Sequence, residues 1–319
     1  MKTKKTILTI LVCLIMVAVI SSSICNGNII TANKNHVSKN ISNLKNHKTS
    51  QATEYWALLV AVGVYYNNPE QNRESMLYAI DDLHSSLLNS PNWQADHIHT
   101  LKGSQATTLN LIRELIWLIL NEDSDDYSLV YITTHGGPLT KNGAAWDMPP
   151  KDESDGDDEV LAMYYGFERY DHVTDDMLNF FFKLLKSKGL CVIIDSCFSG
   201  GFDDSIRSNN LIKSNELIPL ARNLEIAKYK QGMVNELAAE GRIILMSCEE
   251  EELSYNSYFS NYLTEGFNGW ADITGDFDGI NSAEEAFDFA YPWVVFLTNG
   301  NSHPTISDQY PGEFLVTYR

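Results

Sequence analysis

Short apolar runs alternate with helical patterns along the chain from about residue 54 onward. Strands are predicted over Trp56–Val62, His97–Leu101, Ser128–Thr134, Leu190–Asp195 and Arg242–Ser247. Helices are predicted over Ser75–Leu88, Thr107–Leu120, Asp175–Lys186, Tyr258–Phe267 and Ser282–Phe296. Runs this apolar are typical of strands covered on both faces, so the alternation predicts an α/β fold with βαβ units in a mostly parallel sheet. In such sheets, binding sites form beyond the carboxyl ends of the strands.

The first 53 residues lack this pattern. Residues 1–25 combine early lysines, an apolar run from Ile7 to Ile20 and three serines, which is the layout of a secretory signal. The run is shorter than the roughly 20 residues of a membrane span. We therefore expect a signal peptide or an uncleaved anchor, and a secreted or cell-surface protein that meets the membrane only through this segment if it is retained. Residues 26–53 are rich in Asn, Ser, Thr and Lys and predict a polar linker or pro-segment.

Charge is distributed unevenly along the chain. The sequence has 23 basic and 42 acidic residues, yet residues 1–50 contain seven lysines and no Asp or Glu. Residues 51–319 therefore keep 16 basic and 42 acidic side chains, a net charge of −26. A body this acidic repels phosphates, which excludes nucleic acid as a partner and favours cations or basic peptides.

Three cysteines lie outside the first 25 residues, at Cys191, Cys197 and Cys248. An odd number, with two members at or beside apolar runs, argues against a disulfide framework. No Cys-x-x-Cys pair or His/Cys spacing indicates a zinc site. A lone thiol in an exported chain points instead to a catalytic cysteine.

Two reactive side chains follow the two most apolar runs. His135 comes directly after SLVYITT and Cys197 follows LCVIIDS, and glycines come soon after both. If the two strands are neighbours, both side chains reach the same rim of the sheet, where an imidazole can turn the thiol into a thiolate. The glycines leave backbone N–H groups open to a substrate carbonyl, as an oxyanion hole requires. Taken singly, a buried cysteine and a turn histidine are the plainer interpretations.

These motifs resemble those of the caspase-like cysteine peptidases, clan CD, and within them the metacaspase-like microbial branch. The matching segments follow the family's order over most of residues 55–290: WALLVAVGVY at 56–65, LYAIDDLHSSL at 77–87, YITTHGG at 131–137, DESDGDDEVL at 152–161, VTDDML at 173–178, VIIDSCFSGGF at 192–202 and ILMSCEEEELSY at 244–255. The histidine and the cysteine are 62 residues apart, near the roughly 50 of caspases. The chain departs from the family at Thr133-Thr134, where metacaspases usually have Ser-Gly, and at Phe198, where many have His.

The resemblance implies a caspase-like α/β/α sandwich over residues 54–319 and a cysteine endopeptidase that acts through an acyl-enzyme. It implies His135 as general base, Cys197 as nucleophile, and the backbone amides of Gly136 and Cys197 as oxyanion donors. Asp82 and Asp195 fall where the family builds an acidic pocket for a P1 Arg or Lys, since a carboxylate pairs well with a guanidinium. Peptides or proteins with a basic P1 residue are thus the expected substrates. For Asp82, an exposed helix face without a role is the alternative.

An activating calcium ion is a further implication of the resemblance, although the chemistry itself needs no cofactor. Asp152, Asp175, Asp176 and Asp204 are similar to residues that bind calcium in some metacaspases, and Asp155 fits equally well in place of Asp152. Carboxylate oxygens are the ligands that Ca²⁺ prefers.

A second calcium candidate is the segment Asp272–Glu285, which has the Asp-x-Asp-Gly core and distal Glu of an EF-hand loop. With Gly279 at the sixth position, the third, fifth and twelfth positions are Asp276, Asp278 and Glu285. The first position is Thr274, where an acidic ligand is usual. A turn that precedes a helix fits the segment equally well.

The polar segment 203–240 is a candidate processing loop, as in a zymogen. Arg207, Lys213 and Arg222 are candidate self-cleavage sites if the enzyme prefers a basic P1 residue.

Two alternatives stay open at this point. One is an Asn-specific or Asp-specific peptidase, or a transpeptidase, on the same fold. The other is a catalytically idle calcium-binding interaction module, in which the acidic loops are the functional feature.

Overall fold

A six-stranded sheet organises the protein. The computed structural model describes residues 52–141, 144–145, 159–166, 171–196, 233, 237–249, 252 and 254–319. The described part of the chain lies within one compact unit, Ala52–Arg319. The described residues do not include residues 1–25, almost all of the linker or most of the segment 203–240. The predictions for these segments therefore stay predictions.

The strands and helices alternate as the sequence pattern predicts. The strands are β1 (Tyr55–Ala61), β2 (Ile98–Lys102), β3 (Tyr127–Thr133), β4 (Gly136–Pro138), β5 (Thr140–Lys141), β6 (Ala144–Ala145), β7 (Glu159–Ala162), β8 (His172–Thr174), β9 (Gly189–Asp195), β10 (Arg242–Met246), β11 (Ile280–Ser282), β12 (Thr305–Asp308) and β13 (Leu315–Tyr318). The helices are α1 (Glu74–Asn89), α2 (Thr108–Asn121), α3 (Asp175–Phe182), α4 (Tyr258–Glu265), α5 (Ala271–Thr274) and α6 (Ala283–Leu297). A segment of π-helical turns, Gly266–Trp270, joins α4 to α5.

The central sheet has the strand order β2-β1-β3-β9-β10-β12. Its first five strands are parallel, and β12 pairs antiparallel with β10 at the edge. This arrangement confirms the predicted mostly parallel sheet of a caspase-like α/β fold. The carboxyl ends of β1, β3 and β9 lie side by side, so the loops that follow them meet at one rim.

Helices cover both faces of the sheet. On one face, the odd-numbered residues of β1, such as Leu59, pack with α1, α4 and α6 in a single hydrophobic cluster. On the other face, Trp56 makes an edge-to-face contact with Trp117 of α2. Arg242 lies over the ring of Phe182 in α3 on that same side. Alternate residues of a strand point to opposite faces, so two covered faces explain why the strands are apolar without interruption.

Hydroxyl side chains fix the starts of three helices. The Thr107 hydroxyl accepts the N–H of Asn110 at α2, and the Thr174 hydroxyl accepts that of Met177 at α3. Helix α6 begins with a capping box of Ser282 and Glu285. Such caps satisfy backbone donors that the first turn leaves unpaired. Within the described ranges, no helix is long and apolar enough to cross a membrane.

The buried side chain of Asp126 ties the amino ends of two strands together. One carboxylate oxygen accepts the N–H of Glu54 at 2.9 Å, and the other accepts the Trp56 indole N–H at 3.0 Å and the Asp123 N–H at 2.9 Å. The backbone carbonyl of Asp126 also accepts the N–H of Lys188, just before β9. One residue therefore links the starts of β1, β3 and β9.

We predict that Asp126→Ala lowers the free energy of unfolding by about 3 kcal/mol, because three donors lose a charged acceptor. Asp125→Ala removes an exposed neighbouring carboxylate. It is expected to change the free energy of unfolding by less than about 0.5 kcal/mol. Urea denaturation of both variants at neutral pH measures the difference. Equal stability of the two variants would contradict the assigned role.

Candidate active site

Strands β3 and β9 are neighbours, and their register relates the two motifs. Thr133, the last residue of β3, pairs with Asp195, the last residue of β9. His135 and Cys197 each follow two residues beyond this pair in the sequence. The condition set by the sequence, that the two strands be adjacent, is therefore met. Cys197 itself lies outside the described residues.

His135 is buried, with 5% of its surface exposed, and main-chain contacts hold it. Its carbonyl accepts the N–H of Ala162 at 2.8 Å, and its own N–H donates to the Tyr65 hydroxyl at 2.9 Å. Its ring Nε2 lies 2.8 Å from the carbonyl oxygen of Gln71. A carbonyl only accepts hydrogen bonds, so Nε2 carries the proton and the neutral ring has its basic lone pair on Nδ1.

Tyr65 and Thr134 form a short relay beneath His135. The Thr134 hydroxyl donates to the carbonyl of Ala162, so the Tyr65 hydroxyl, 2.9 Å away, donates to Thr134. The Tyr65 oxygen then accepts the His135 N–H. Thr134 belongs to the Thr-Thr pair at which the sequence departs from the usual metacaspase pattern. In this chain its hydroxyl takes part in positioning the histidine.

Gly136 opens β4, directly after the histidine, and pairs with Leu161 of β7. The neighbouring His135 carbonyl already accepts a hydrogen bond from Ala162 in β7. The His135 carbonyl and the Gly136 N–H belong to the same trans peptide group, in which the C=O and the N–H point in opposite directions. The Gly136 N–H therefore points away from β7.

Asp195 is 2% exposed, and two serines use its carboxylate. One oxygen accepts the Ser254 hydroxyl at 2.5 Å, and the other accepts the hydroxyl and the N–H of Ser260 at 2.5 and 3.3 Å. The Tyr131 hydroxyl lies 2.7 Å from the Ser260 oxygen and donates to it, since the Ser260 proton points to Asp195. Burial and the nearby Asp195 carboxylate raise the pKa of Tyr131. Asp195 thus joins the sheet to the start of α4.

Asp82 lies in a different setting, exposed on α1. It lines a cavity of about 560 Å³ between α1 and α4, which we call the Asp82 groove. Ser75, Asn261 and Glu265 also line it, whereas Asp195 is not among the described residues that do. A carboxylate in an open groove is accessible to a charged ligand from solvent.

The predicted calcium residues are only partly described. Asp175 is fully buried and Asp176 follows it, both in the first turn of α3. The N–H of Asp176 donates to the Asp175 carboxylate at 2.9 Å. Carboxylates at this position also interact favourably with the helix dipole. The remaining predicted ligands, processing residues and nucleophile lie outside the described residues: Asp152, Asp155, Cys197, Asp204, Arg207, Lys213 and Arg222.

The EF-hand-like segment folds as a helix, a loop and a second helix, but with a different acidic cluster from the predicted one. Asp272, rather than Thr274, joins Asp276 and Asp278 within 4.8 Å. The Thr274 hydroxyl donates to the Trp270 carbonyl of its own helix.

The polar partners of this segment come from the protein itself. The N–H of Gly279 is the main cause that lowers the pKa of Asp272, and the Arg319 guanidinium, 3.0 Å away, contributes. Glu285, at the twelfth position, belongs to the capping box of α6. These contacts agree with the alternative of a turn that precedes a helix.

The other two cysteines of the folded part are buried. Burial raises the pKa of the Cys191 thiol well above its usual range, and Cys191 packs inside the core cluster. Cys248 donates to the carbonyl of Ser196 at 3.3 Å. Buried thiols with a raised pKa are poor nucleophiles, so Cys191 has a structural role.

Sequence reasoning missed Gln71, Tyr65 and the role of Thr134. The first acts through its carbonyl, which every residue has, so no side-chain signal marks it. Tyr65 ends the WALLVAVGVY segment, and only the path of the chain after β1 brings its hydroxyl beneath His135.

Comparison with known proteins agrees with this geometry. Residues 59–205 match the family model for the metacaspase, peptidase C14 domain, a range that contains both His135 and Cys197. No curated protein matches the chain. The crystal structure of a protein from Geobacter sulfurreducens is similar in fold, with a TM-score of 0.50 and 15% sequence identity, over 80% of this chain and 92% of that chain. This match agrees with the resemblance predicted from the motifs: residues 59–205 are similar to a metacaspase-type peptidase C14 domain, which supports a cysteine peptidase, a hydrolase of peptides or proteins.

Proposed function

We propose that the protein is a secreted endopeptidase in which His135 and Cys197 form the catalytic dyad and which cleaves after Arg or Lys. The observation that carries the dyad is the pairing of Thr133 with Asp195, because both residues of the dyad follow this pair by two positions on adjacent parallel strands. Side chains at this rim share one solvent-facing edge, where sites on parallel sheets form.

In the proposed reaction, Nδ1 of His135 takes the Cys197 proton, and the thiolate attacks the scissile carbonyl carbon. The C–N bond breaks, Nδ1 returns the proton to the leaving amine, and the acyl group stays on sulfur as a thioester. A water molecule then loses a proton to His135 and attacks the thioester, which releases the acid and restores the thiol. The Gln71 carbonyl supports this cycle, since it holds Nε2 protonated and stabilises the imidazolium.

Backbone N–H groups complete the proposed chemistry. The Gly136 N–H, directed away from β7, supports its role as one oxyanion donor, and the Cys197 N–H is the proposed second. Two such donors stabilise the charge that develops on the carbonyl oxygen.

The proposed basic P1 preference depends on negative charge near the dyad. Asp82 lies exposed in its groove and is available to pair directly with a guanidinium or ammonium group. Both oxygens of Asp195 accept hydrogen bonds from serines, so we assign it a supporting charge rather than the first contact.

Calcium activation, export and self-processing complete the proposal. Asp175 and Asp176 open α3, and the proposed further calcium ligands are Asp204 and either Asp152 or Asp155.

Export is supported by the signal-like layout of residues 1–25. Self-cleavage at Arg207, Lys213 or Arg222 is supported by the same proposed preference for a basic P1 residue.

We predict that residues 51–319 hydrolyse fluorogenic peptides with P1 Arg or Lys, more rapidly with Ca²⁺ than with a chelator. Cys197→Ala and His135→Ala are each expected to lower kcat at least 1,000-fold, because loss of either member of such a unit removes most of the catalysis. Peptides with P1 Asn or Asp test the specificity in the same assay.

Each outcome of this assay bears on a separate part of the proposal. Cleavage after Asn or Asp would retain the dyad and overturn the basic preference. Equal rates with Ca²⁺ and chelator would overturn calcium activation. No cleavage by a folded protein that circular dichroism shows to match its variants would favour the idle interaction module.

Asp82→Asn is predicted to lower kcat/KM for P1 Arg peptides ten- to 100-fold, since a charged hydrogen bond contributes about 1.5–3 kcal/mol. Asp81→Asn is the matched control, because the neighbouring carboxylate pairs with Lys102 instead. Steady-state kinetics of both variants give the comparison. Equal losses would remove Asp82 from the specificity pocket.

Tyr65→Phe is predicted to lower kcat about tenfold with little change in KM, because the buried N–H of His135 loses its acceptor and the ring loses its position. Tyr127→Phe is the control, since it removes a hydroxyl contact with Tyr310 at the opposite end of β3. Kinetics are compared at equal folded fraction. A kcat loss no larger than that of the control would show that Tyr65 does not position the base.

A further inference from the structure

A large groove lies on the helical layer, apart from His135 and its partners. It runs between α4 and α6 beside the π-helical segment, has a volume of about 1050 Å³ and is lined mainly by apolar surface. We call it the aromatic groove, after Tyr262, Trp270 and Trp293 in its wall. The proposed chemistry makes no use of it.

Two large indole rings in this groove face solvent. Trp270 is 50% exposed and Trp293 is 43% exposed. The ring of Trp293 stacks on Tyr262, with centroids 5.4 Å apart and planes 9° from parallel, so its orientation is fixed. Exposed aromatic surface that is concave and held in place marks a binding site.

Every charged residue in the described part of the chain that lines the aromatic groove is acidic. These residues are Glu265, Glu285 and Asp288. The whole stretch 254–319 has nine acidic residues and one basic residue, Arg319. The Arg319 guanidinium pairs with Asp272 and lies over the ring of Phe277. These carboxylates give the groove a negative charge, and stretch 254–319 contributes one Arg to offset it.

The aromatic groove and the Asp82 groove share part of their lining in α4. Asn261 and Glu265 line both cavities, one on each side of α4. Ser86, at 4% exposure, lines the Asp82 groove, and within the described ranges its hydroxyl has no hydrogen-bond partner. A buried hydroxyl without a partner is costly, and a polar ligand in the groove would provide one. Acidic side chains thus line both cavities, Asp82 in one, Glu285 and Asp288 in the other, and Glu265 in both.

We propose that the aromatic groove binds a lysine- or arginine-rich segment of a polypeptide. Ammonium and guanidinium groups are attracted to indole faces and pair with carboxylates, and the groove offers both kinds of partner together. The alkyl stems of these side chains also pack on apolar surface. A neutral ligand such as an oligosaccharide would use the rings and gain nothing from the charge.

In a peptidase, this groove holds a substrate by a segment remote from the bond that is cut. That use rests on the proposed function, whereas binding itself needs no active dyad. Binding is therefore measured with the Cys197→Ala variant of residues 51–319.

The probe is a fluorescein-labelled hexalysine peptide, followed by fluorescence anisotropy with a chelator present so that bound calcium plays no part. We expect saturable binding that weakens at least tenfold between 20 and 150 mM salt, because screening reduces attraction between exposed charges. Hexaglutamate and a neutral Gly-Ser hexapeptide are expected not to bind.

The double variant Glu265→Gln/Asp288→Asn is predicted to weaken hexalysine binding at least tenfold, and Trp270→Ala at least threefold. Both acids are exposed. Glu285 is left intact because it caps α6. The matched control is Asp96→Asn/Asp125→Asn, which removes two exposed acids near the amino ends of β2 and β3, and it is expected to change binding less than twofold.

If the control pair weakens hexalysine binding as much as Glu265→Gln/Asp288→Asn does, the binding reflects general attraction to an acidic protein. That result would overturn the proposal. Binding of a neutral chito-oligosaccharide without binding of hexalysine would overturn it as well. If hexalysine binds but the protein with Cys197 intact cleaves no peptide, the binding role of the groove is supported and the proposed function is contradicted. If the protein cleaves peptides but hexalysine does not bind, the proposed function is supported and the binding role is contradicted.

Discussion

The pairing of β3 with β9 is the constraint on which the site depends. Seven consecutive residues of each strand pair in parallel, from Tyr127 with Gly189 to Thr133 with Asp195. A shift of one residue would turn every side chain of the shifted strand to the other face. It would also move one strand end by about 3.3 Å relative to the other. The proposed dyad requires the two strand ends to be level, so it depends on this register.

Buried polar contacts also favour this register, in addition to apolar packing. Tyr131 of β3 donates to Ser260 of α4, and Ser260 donates to Asp195 at the end of β9. If either strand slipped, at least one buried oxygen in this chain of hydrogen bonds would lose its partner. Because an unsatisfied buried group costs about 1–3 kcal/mol, the network favours one alignment over its neighbours. Asp126 acts in the same way at the opposite end of the strands.

The central fold could be predicted from the sequence because its strands are apolar on both faces. Runs such as LCVIID before Ser196 have few other interpretations, and the observed ends of the five predicted strands differ from the predicted ends by at most one residue. Of the six strands of the central sheet, only β12 was not predicted. In β12, partly buried and exposed residues alternate over only four positions, a pattern too short to distinguish from a loop.

The candidate site was less accessible to sequence reasoning than the fold. His135 and Cys197 have side chains whose chemistry is specific, so the sequence indicates them as candidates. The groups that position His135 are a carbonyl at Gln71 and hydroxyls at Tyr65 and Thr134. Carbonyls and hydroxyls occur throughout the chain, and their function here results from the three-dimensional path alone. The EF-hand-like segment is a second example. The residue spacing placed Thr274 beside Asp276 and Asp278, whereas in the folded loop Asp272 lies beside them.

The way in which buried carboxylates are satisfied explains the acidic surface. Asp126 and Asp195 accept hydrogen bonds from N–H and O–H groups of the protein and from no Lys or Arg in the described ranges. Asp272 is a buried carboxylate that pairs with a cation, Arg319. Among these three carboxylates, one basic residue is used as a partner, and the 16 basic residues of 51–319 cannot balance its 42 acidic residues. The surplus negative charge lies at the surface, where Asp82 and the aromatic groove are found, so a basic peptide meets an attractive field at both places.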